Sequence, residues 1–127
     1  MDIQEQHERG LALRRELFGR EAVEKRTSAF GEFGKPLQHV INAYAYGDIW
    51  QRSALPLATK SLTMVAMMAA AGHPNELRVH LKGALKNGCS MEEIQEVLLL
   101  LALYCGIPAA NEAHRVAVEV FREEKLM

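Results

Sequence analysis

Two stretches of this chain, residues 57–71 and 91–104, have the helical period yet are apolar almost all the way round. The first carries Leu62, Met64, Val65, Ala66, Met67, Met68 and Ala69, and the second runs Val97-Leu98-Leu99-Leu100-Leu101-Ala102-Leu103. A helix of that kind has to be covered on every side. A chain of 127 residues is long enough for one hydrophobic core and too short for two. The pattern therefore predicts a single all-α domain over residues 1–127 whose subunits pack against one another as a homo-oligomer.

The remaining segments have the same period, and none alternates as a strand would. Residues 3–18 read as an amphipathic helix with Leu11, Leu13, Leu17 and Phe18 apolar and Gly19 as its stop. A shorter helical segment runs from Glu21 to about Ala29, followed by the linker Gly31-Glu32-Phe33-Gly34. Pro36 suits the first turn of a helix reaching about Tyr46. The loop Gly47-Asp48-Ile49-Trp50-Gln51-Arg52-Ser53-Ala54-Leu55-Pro56 holds the only tryptophan. Gly72 ends the 57–71 helix, and Pro74 opens the next one, which stops at Asn87-Gly88. Ser90 and Glu93 have the spacing of a capping box for the helix that runs to about Tyr104. Gly106-Ile107-Pro108 breaks the chain before a last helix with Val116, Val118, Val120 and Phe121. The total is six or seven helices.

Charge and composition exclude several roles. A net charge of −1 with acids and bases intermixed points to neither nucleic acid nor an acidic membrane surface. The longest apolar run, Met64 to Ala71, is too short to span a bilayer. The polar start Asp2-Ile3-Gln4-Glu5 lacks the basic and apolar regions of an export signal, so a cytoplasmic protein is expected. Cys89 and Cys105 form no C-x-x-C pair and read as small hydrophobic thiols. No His, Asp or Glu spacing supplies the three or four donors of a metal site, and His7, His39 and His114 each stand alone. Neither a Gly-rich phosphate loop nor a serine nucleophile elbow is present.

The candidate chemistry lies on the helix from Pro74 to Lys86. Leu77, Leu81 and Ala84 make its buried stripe, with His80 beside the stripe and Glu76 one turn earlier, slightly farther out. An exposed pair of that spacing is worth only a few tenths of a kcal/mol. At the edge of a pocket, the same imidazole and carboxylate can move a proton near neutral pH. In the loop before it, Trp50 offers an aromatic wall, while Asp48 and Arg52 read as an ion pair or a carboxylate-binding guanidinium. Arg14-Arg15 reads first as a solvated helix face, with either residue able to reach an anion.

Glu76-Leu77-Arg78-Val79-His80-Leu81-Lys82-Gly83-Ala84 followed by Asn87-Gly88-Cys89-Ser90-Met91-Glu92-Glu93-Ile94-Gln95-Glu96-Val97-Leu98 resembles the motif of the carboxymuconolactone decarboxylase family. Gly47-Asp48-Ile49-Trp50-Gln51-Arg52, Leu55-Pro56 and Tyr104-Cys105-Gly106-Ile107-Pro108-Ala109-Ala110-Asn111 are similar to its name-giving branch. The resemblance implies an alkylhydroperoxidase-like helical fold, assembled as a hexamer or trimer. It implies cofactor-free loss of CO2 from 4-carboxymuconolactone, giving 3-oxoadipate enol-lactone in protocatechuate catabolism. His80 would then deliver the proton and Glu76 would orient it. Trp50 would wall the lactone, and Arg52, Asp48, Arg14, Arg15 and Tyr104 would serve the dicarboxylate substrate. The superfamily's thiol peroxidases carry two cysteines where this chain has His73 and Glu76, and a relay glutamate near Ser61. A peroxidase and a non-catalytic ligand-binding oligomer are the competing readings.

Overall fold

A computed structural model of the chain describes residues 2–127. Seven α-helices among these residues order the chain: α1 (Ile3–Phe18), α2 (Arg20–Ser28), α3 (Lys35–Val40), α4 (Leu57–Ala71), α5 (Pro74–Lys86), α6 (Met91–Cys105) and α7 (Ile107–Glu123). No described residue lies in a strand. Among the described residues no helix is long and apolar enough to cross a membrane. The contacts gather into two compact units, Met1–Leu55 and Pro56–Met127.

In the first unit, α1 packs against the segment after α3. The sequence predicts one helix from Pro36 to Tyr46. Instead, α3 passes at Ile41 into wider π-helical turns that run to Tyr46. The physical reason is a backbone-to-backbone crossing. A Cβ at Gly10 would sit 1.6 Å from the Asn42 carbonyl oxygen and 2.7 Å from the Gly47 nitrogen, so only glycine fits there. Side-chain amides serve two carbonyls of the widened segment: Gln6 Nε2 donates to Ala43 O at 2.7 Å and Gln51 Nε2 to Tyr46 O at 2.9 Å. The buried face of α1 runs through Gly10, Arg14 and Leu17, so Arg14 points inward. That corrects the reading of Arg14-Arg15 as a solvated face.

The second unit is a four-helix packing of α4, α5, α6 and α7. Val65, Leu77, Leu81, Ile94, Leu98 and Val120 lie at its centre, each 2% exposed or less. Burying a side chain of this size contributes about 1.5–3 kcal/mol. Helix α5 is held by stops at both ends. Gly72 takes the left-handed conformation (φ 74°, ψ 40°), and the His73 N–H reaches back to Met68 O, closing α4 and aiming Pro74 into the first turn of α5. At the other end the Cys89 N–H donates to Ala84 O at 2.9 Å. The expected capping box then starts α6: Ser90 Oγ accepts from the Glu93 N–H while Glu93 accepts from the Ser90 N–H. Such a cap stabilises a helix by about 1 kcal/mol.

The two apolar helices are not covered on all sides within the chain. α4 buries Ser61, Val65 and Ala69 but leaves Met67 exposed. α6 buries Ile94, Leu98 and Leu101, while Leu99, Leu100, Leu103 and Tyr104 face outward.

Candidate active site

The α5 helix carries the proton-transfer candidates. His80 sits among the buried residues Leu77, Val79, Leu81, Gly83 and Ala84 and is only 5% exposed. Glu76 lies one turn earlier, in the first turn of α5, with its carboxylate in solvent. The positive end of the helix dipole favours a negative charge at that place. The helical phase thus puts an imidazole inside and a carboxylate outside on one face, as the spacing requires.

Outward motion of α5 is resisted by ions on its far side. Arg78 donates to both Glu119 and Glu123 of α7, and Lys82 Nζ lies 2.9 Å from Glu123. Hydrogen bonds from Lys82 and Arg78 hold the Glu123 carboxyl below its usual range. At the C-terminal end, Asn87 Nδ2 donates to Ser61 Oγ at 3.1 Å, tying the exit of α5 to α4. Ser61 is therefore a buried hydroxyl with a structural hydrogen bond.

In the first unit, Arg14 rather than Arg15 joins the aromatic wall. The Arg14 guanidinium is buried, and its Nη1 donates to Asn42 Oδ1 at 2.8 Å and Gln38 Oε1 at 3.0 Å. It lies 5.8 Å above the Tyr46 ring, and Tyr46 in turn stacks on Trp50 with centroids 5.2 Å apart. Those two amide oxygens accept from the guanidinium and fix its orientation. Arg15 instead pairs with Glu24 on the surface at 3.1 Å.

Arg52 and Asp48 pair with each other at 3.3 Å and are largely solvent-exposed. With Gln6, Arg9, Gly47 and Gln51 they line an open cleft of about 270 Å³. Tyr104 is 80% exposed at the end of α6. Asn42, Gln38 and Tyr46 were not singled out from the sequence. Their spacing of four, Gln38-Asn42-Tyr46, marks one helix face and is the signal that was available.

The thiols do not form a redox pair: Cys89 is buried and Cys105 exposed, and both are free. Burial, followed by the nearby Glu93 carboxylate, pushes the Cys89 thiol up, away from the reactive thiolate. Its Sγ donates to Ala58 O at 3.3 Å. Among the described residues no group of three His, Cys, Asp or Glu side chains gathers as a metal cage.

Comparison with known proteins places this geometry in a family. Residues 35–119 match the model of the carboxymuconolactone decarboxylase family. A 4-carboxymuconolactone decarboxylase of Acinetobacter baylyi is 35% identical over 123 residues, covering 97% of this chain and 92% of the relative. A nitrosuccinic acid decarboxylase of Metarhizium robertsii is 35% identical over 104 residues, covering 82% of this chain and 73% of its own. A 15.0 kDa protein of Paracoccus denitrificans, without assigned function, is 28% identical over 81 residues, covering 62% and 60% of the two chains. With the helical fold on which these likenesses lie, this chain belongs to the carboxymuconolactone decarboxylase family.

Proposed function

We propose that this protein is a cofactor-free decarboxylase of 4-carboxymuconolactone, releasing CO2 and 3-oxoadipate enol-lactone in protocatechuate catabolism. The end-to-end likeness to a decarboxylase named for that substrate carries the reading. In the substrate, the departing carboxylate sits on the γ-carbon of an α,β-unsaturated lactone. As the C–CO2 bond breaks, its electron pair moves into the ring and out to the lactone carbonyl, forming a dienolate. A proton then adds to the carbon beside that carbonyl, leaving the double bond of the enol-lactone. The enzyme has to stabilise the oxyanion, supply the proton and anchor a second carboxylate.

His80 serves as the proton donor, and Glu76, one turn away on the same face, orients it and tunes its basicity. Arg14, preorganised by Asn42 and Gln38, takes a carboxylate, and Trp50 walls the ring. Arg52 with Asp48 forms an outer electrostatic rim, Arg15 adds positive charge farther out, and Tyr104 is a further hydroxyl donor. The nitrosuccinic acid decarboxylase relative supports decarboxylation as the reaction class.

The working form in this reading is a cytoplasmic homo-oligomer, a trimer or hexamer. Leu99, Leu100, Leu103 and Tyr104 lie at helical spacings of one, three and four on α6 and are exposed, as is Ile107 at the start of α7. Each is more than half exposed, the kind of apolar surface that a subunit interface covers. Light scattering of the wild type should give a multiple of the 14.2 kDa chain, and Leu103→Glu should lower it. A monomer at micromolar concentration contradicts this assembly.

The activity is tested by following the ultraviolet absorbance of 4-carboxymuconolactone made in situ from carboxymuconate. Wild type and the Cys89→Ser/Cys105→Ser double variant should both turn it over, with no consumption of peroxide. An unchanged lactone with wild type refutes the assignment.

A further inference from the structure

His7 on α1 and His39 on α3 stand 32 residues apart in sequence, yet their Nδ1 atoms face each other at 3.3 Å. Their ring centroids are 5.3 Å apart and the rings are within 15° of parallel. Both side chains are half-buried, and the Tyr44 ring meets His39 edge-on at 6.3 Å. A tetrahedral ion bound to two imidazole nitrogens at about 2.0–2.1 Å holds those nitrogens about 3.4 Å apart. Extending the same lines to the ring centres puts the centroids about 5.2 Å apart. Both separations in the protein match this bite, so two helices already present a chelate without moving.

We propose that His7 and His39 form a two-imidazole binding site for a borderline divalent transition-metal cation of the zinc type. Imidazole nitrogen is the ligand this class of ion prefers, and hard cations such as magnesium do not compete for it. Without metal, the pair shares one N–H···N hydrogen bond. On binding, the bridging proton moves to the Nε2 of its own ring, both Nδ1 lone pairs go to the ion, and two neutral rings release no net proton. Among the described residues no third His, Cys, Asp or Glu joins the pair. Water completes the coordination, which makes the site exchangeable rather than a closed structural one. The ion staples α1 to α3, the two helices that also supply Arg14 and Gln38, so its occupancy stiffens the first unit.

The test uses chelator-treated full-length protein and zinc chloride as the probe at pH 7.5. Calorimetric titration should find one zinc per chain. Thermal unfolding should shift up by about 10 °C at a hundredfold excess over Kd, reversibly with EDTA. His7→Gln and His39→Gln should each abolish the shift, while Cys105→Ser, which removes the exposed thiol, should keep it. The imidazole Hε1 proton resonances of wild-type His7 and His39 should move on titration, a readout that needs no variant. If zinc leaves those resonances and the unfolding midpoint unchanged, or shifts the variants as much as wild type, the pair is a hydrogen bond only and the proposal fails.

Discussion

Replacing Asn42 by aspartate separates a carboxylate-binding role of Arg14 from a merely structural one. Asn42 Oδ1 accepts from Arg14 Nη1 at 2.8 Å inside the first unit, where both residues are under 5% exposed. Asn42→Asp keeps the shape and the acceptor but adds a negative charge. A guanidinium and a carboxylate so bonded have charge centres about 4 Å apart, an attraction of about 4 kcal/mol at an effective dielectric of about 20. Desolvating the new carboxylate removes about half of that. A substrate carboxylate then has to compete with about 2 kcal/mol of internal pairing, so KM rises about 30-fold. The substitution leaves His80 and Glu76 themselves unchanged, so kcat changes little. Asn42→Ala removes the oxygen without adding charge. It should lower stability by about 1.5–3 kcal/mol while raising KM less than the aspartate does. Steady-state kinetics on the lactone, with circular dichroism to confirm folding, gives both numbers. A folded Asn42→Asp enzyme with KM within twofold of wild type refutes a substrate role for Arg14.

Other expectations follow from the same geometry. Gly10→Ala puts a methyl group against the Asn42 carbonyl with no flexible neighbour to yield, so the urea midpoint should fall by the equivalent of about 3 kcal/mol. An unchanged midpoint would mean that α1 does not cross the π-helical turns at this distance. Glu123 has a depressed carboxyl pKa in the folded state, so its stabilising contribution is complete above the ordinary value of 4.5 and is lost as pH falls through the lower folded value. Glu123→Gln should therefore flatten the acid-side decline of the urea midpoint and leave a pH-independent loss near neutrality. Parallel pH profiles for variant and wild type would rule out that linkage.

The second unit was legible because its punctuation is local. Gly72-His73-Pro74, Asn87-Gly88, Ser90 with Glu93, and Gly106 each specify a stop or start through their own backbone chemistry. The phase of Leu77, Leu81 and Ala84 likewise settles that His80 is buried and Glu76 is not. The first unit was less legible because its decisive contacts join residues far apart in sequence. The π-helical turns at Ile41–Tyr46 exist where Gly10 and Gly47 let two backbones meet, and no window of sequence contains both partners. For the same reason, adjacent arginines with identical propensities separated, Arg14 inward to Asn42 and Arg15 outward to Glu24. The His7–His39 pair is also a product of that crossing. The apolar girth of α4 and α6 is plain in the sequence, but a single chain leaves part of it uncovered.

The central claim is that His80 delivers the proton that completes decarboxylation. Its most direct test is kcat/KM for 4-carboxymuconolactone at pH 7.5, measured by ultraviolet absorbance for wild type and His80→Ala, with folding checked in parallel. Loss of a general acid predicts a fall of about 10²- to 10⁴-fold, carried by kcat with KM little changed. A folded His80→Ala enzyme within threefold of wild type contradicts it.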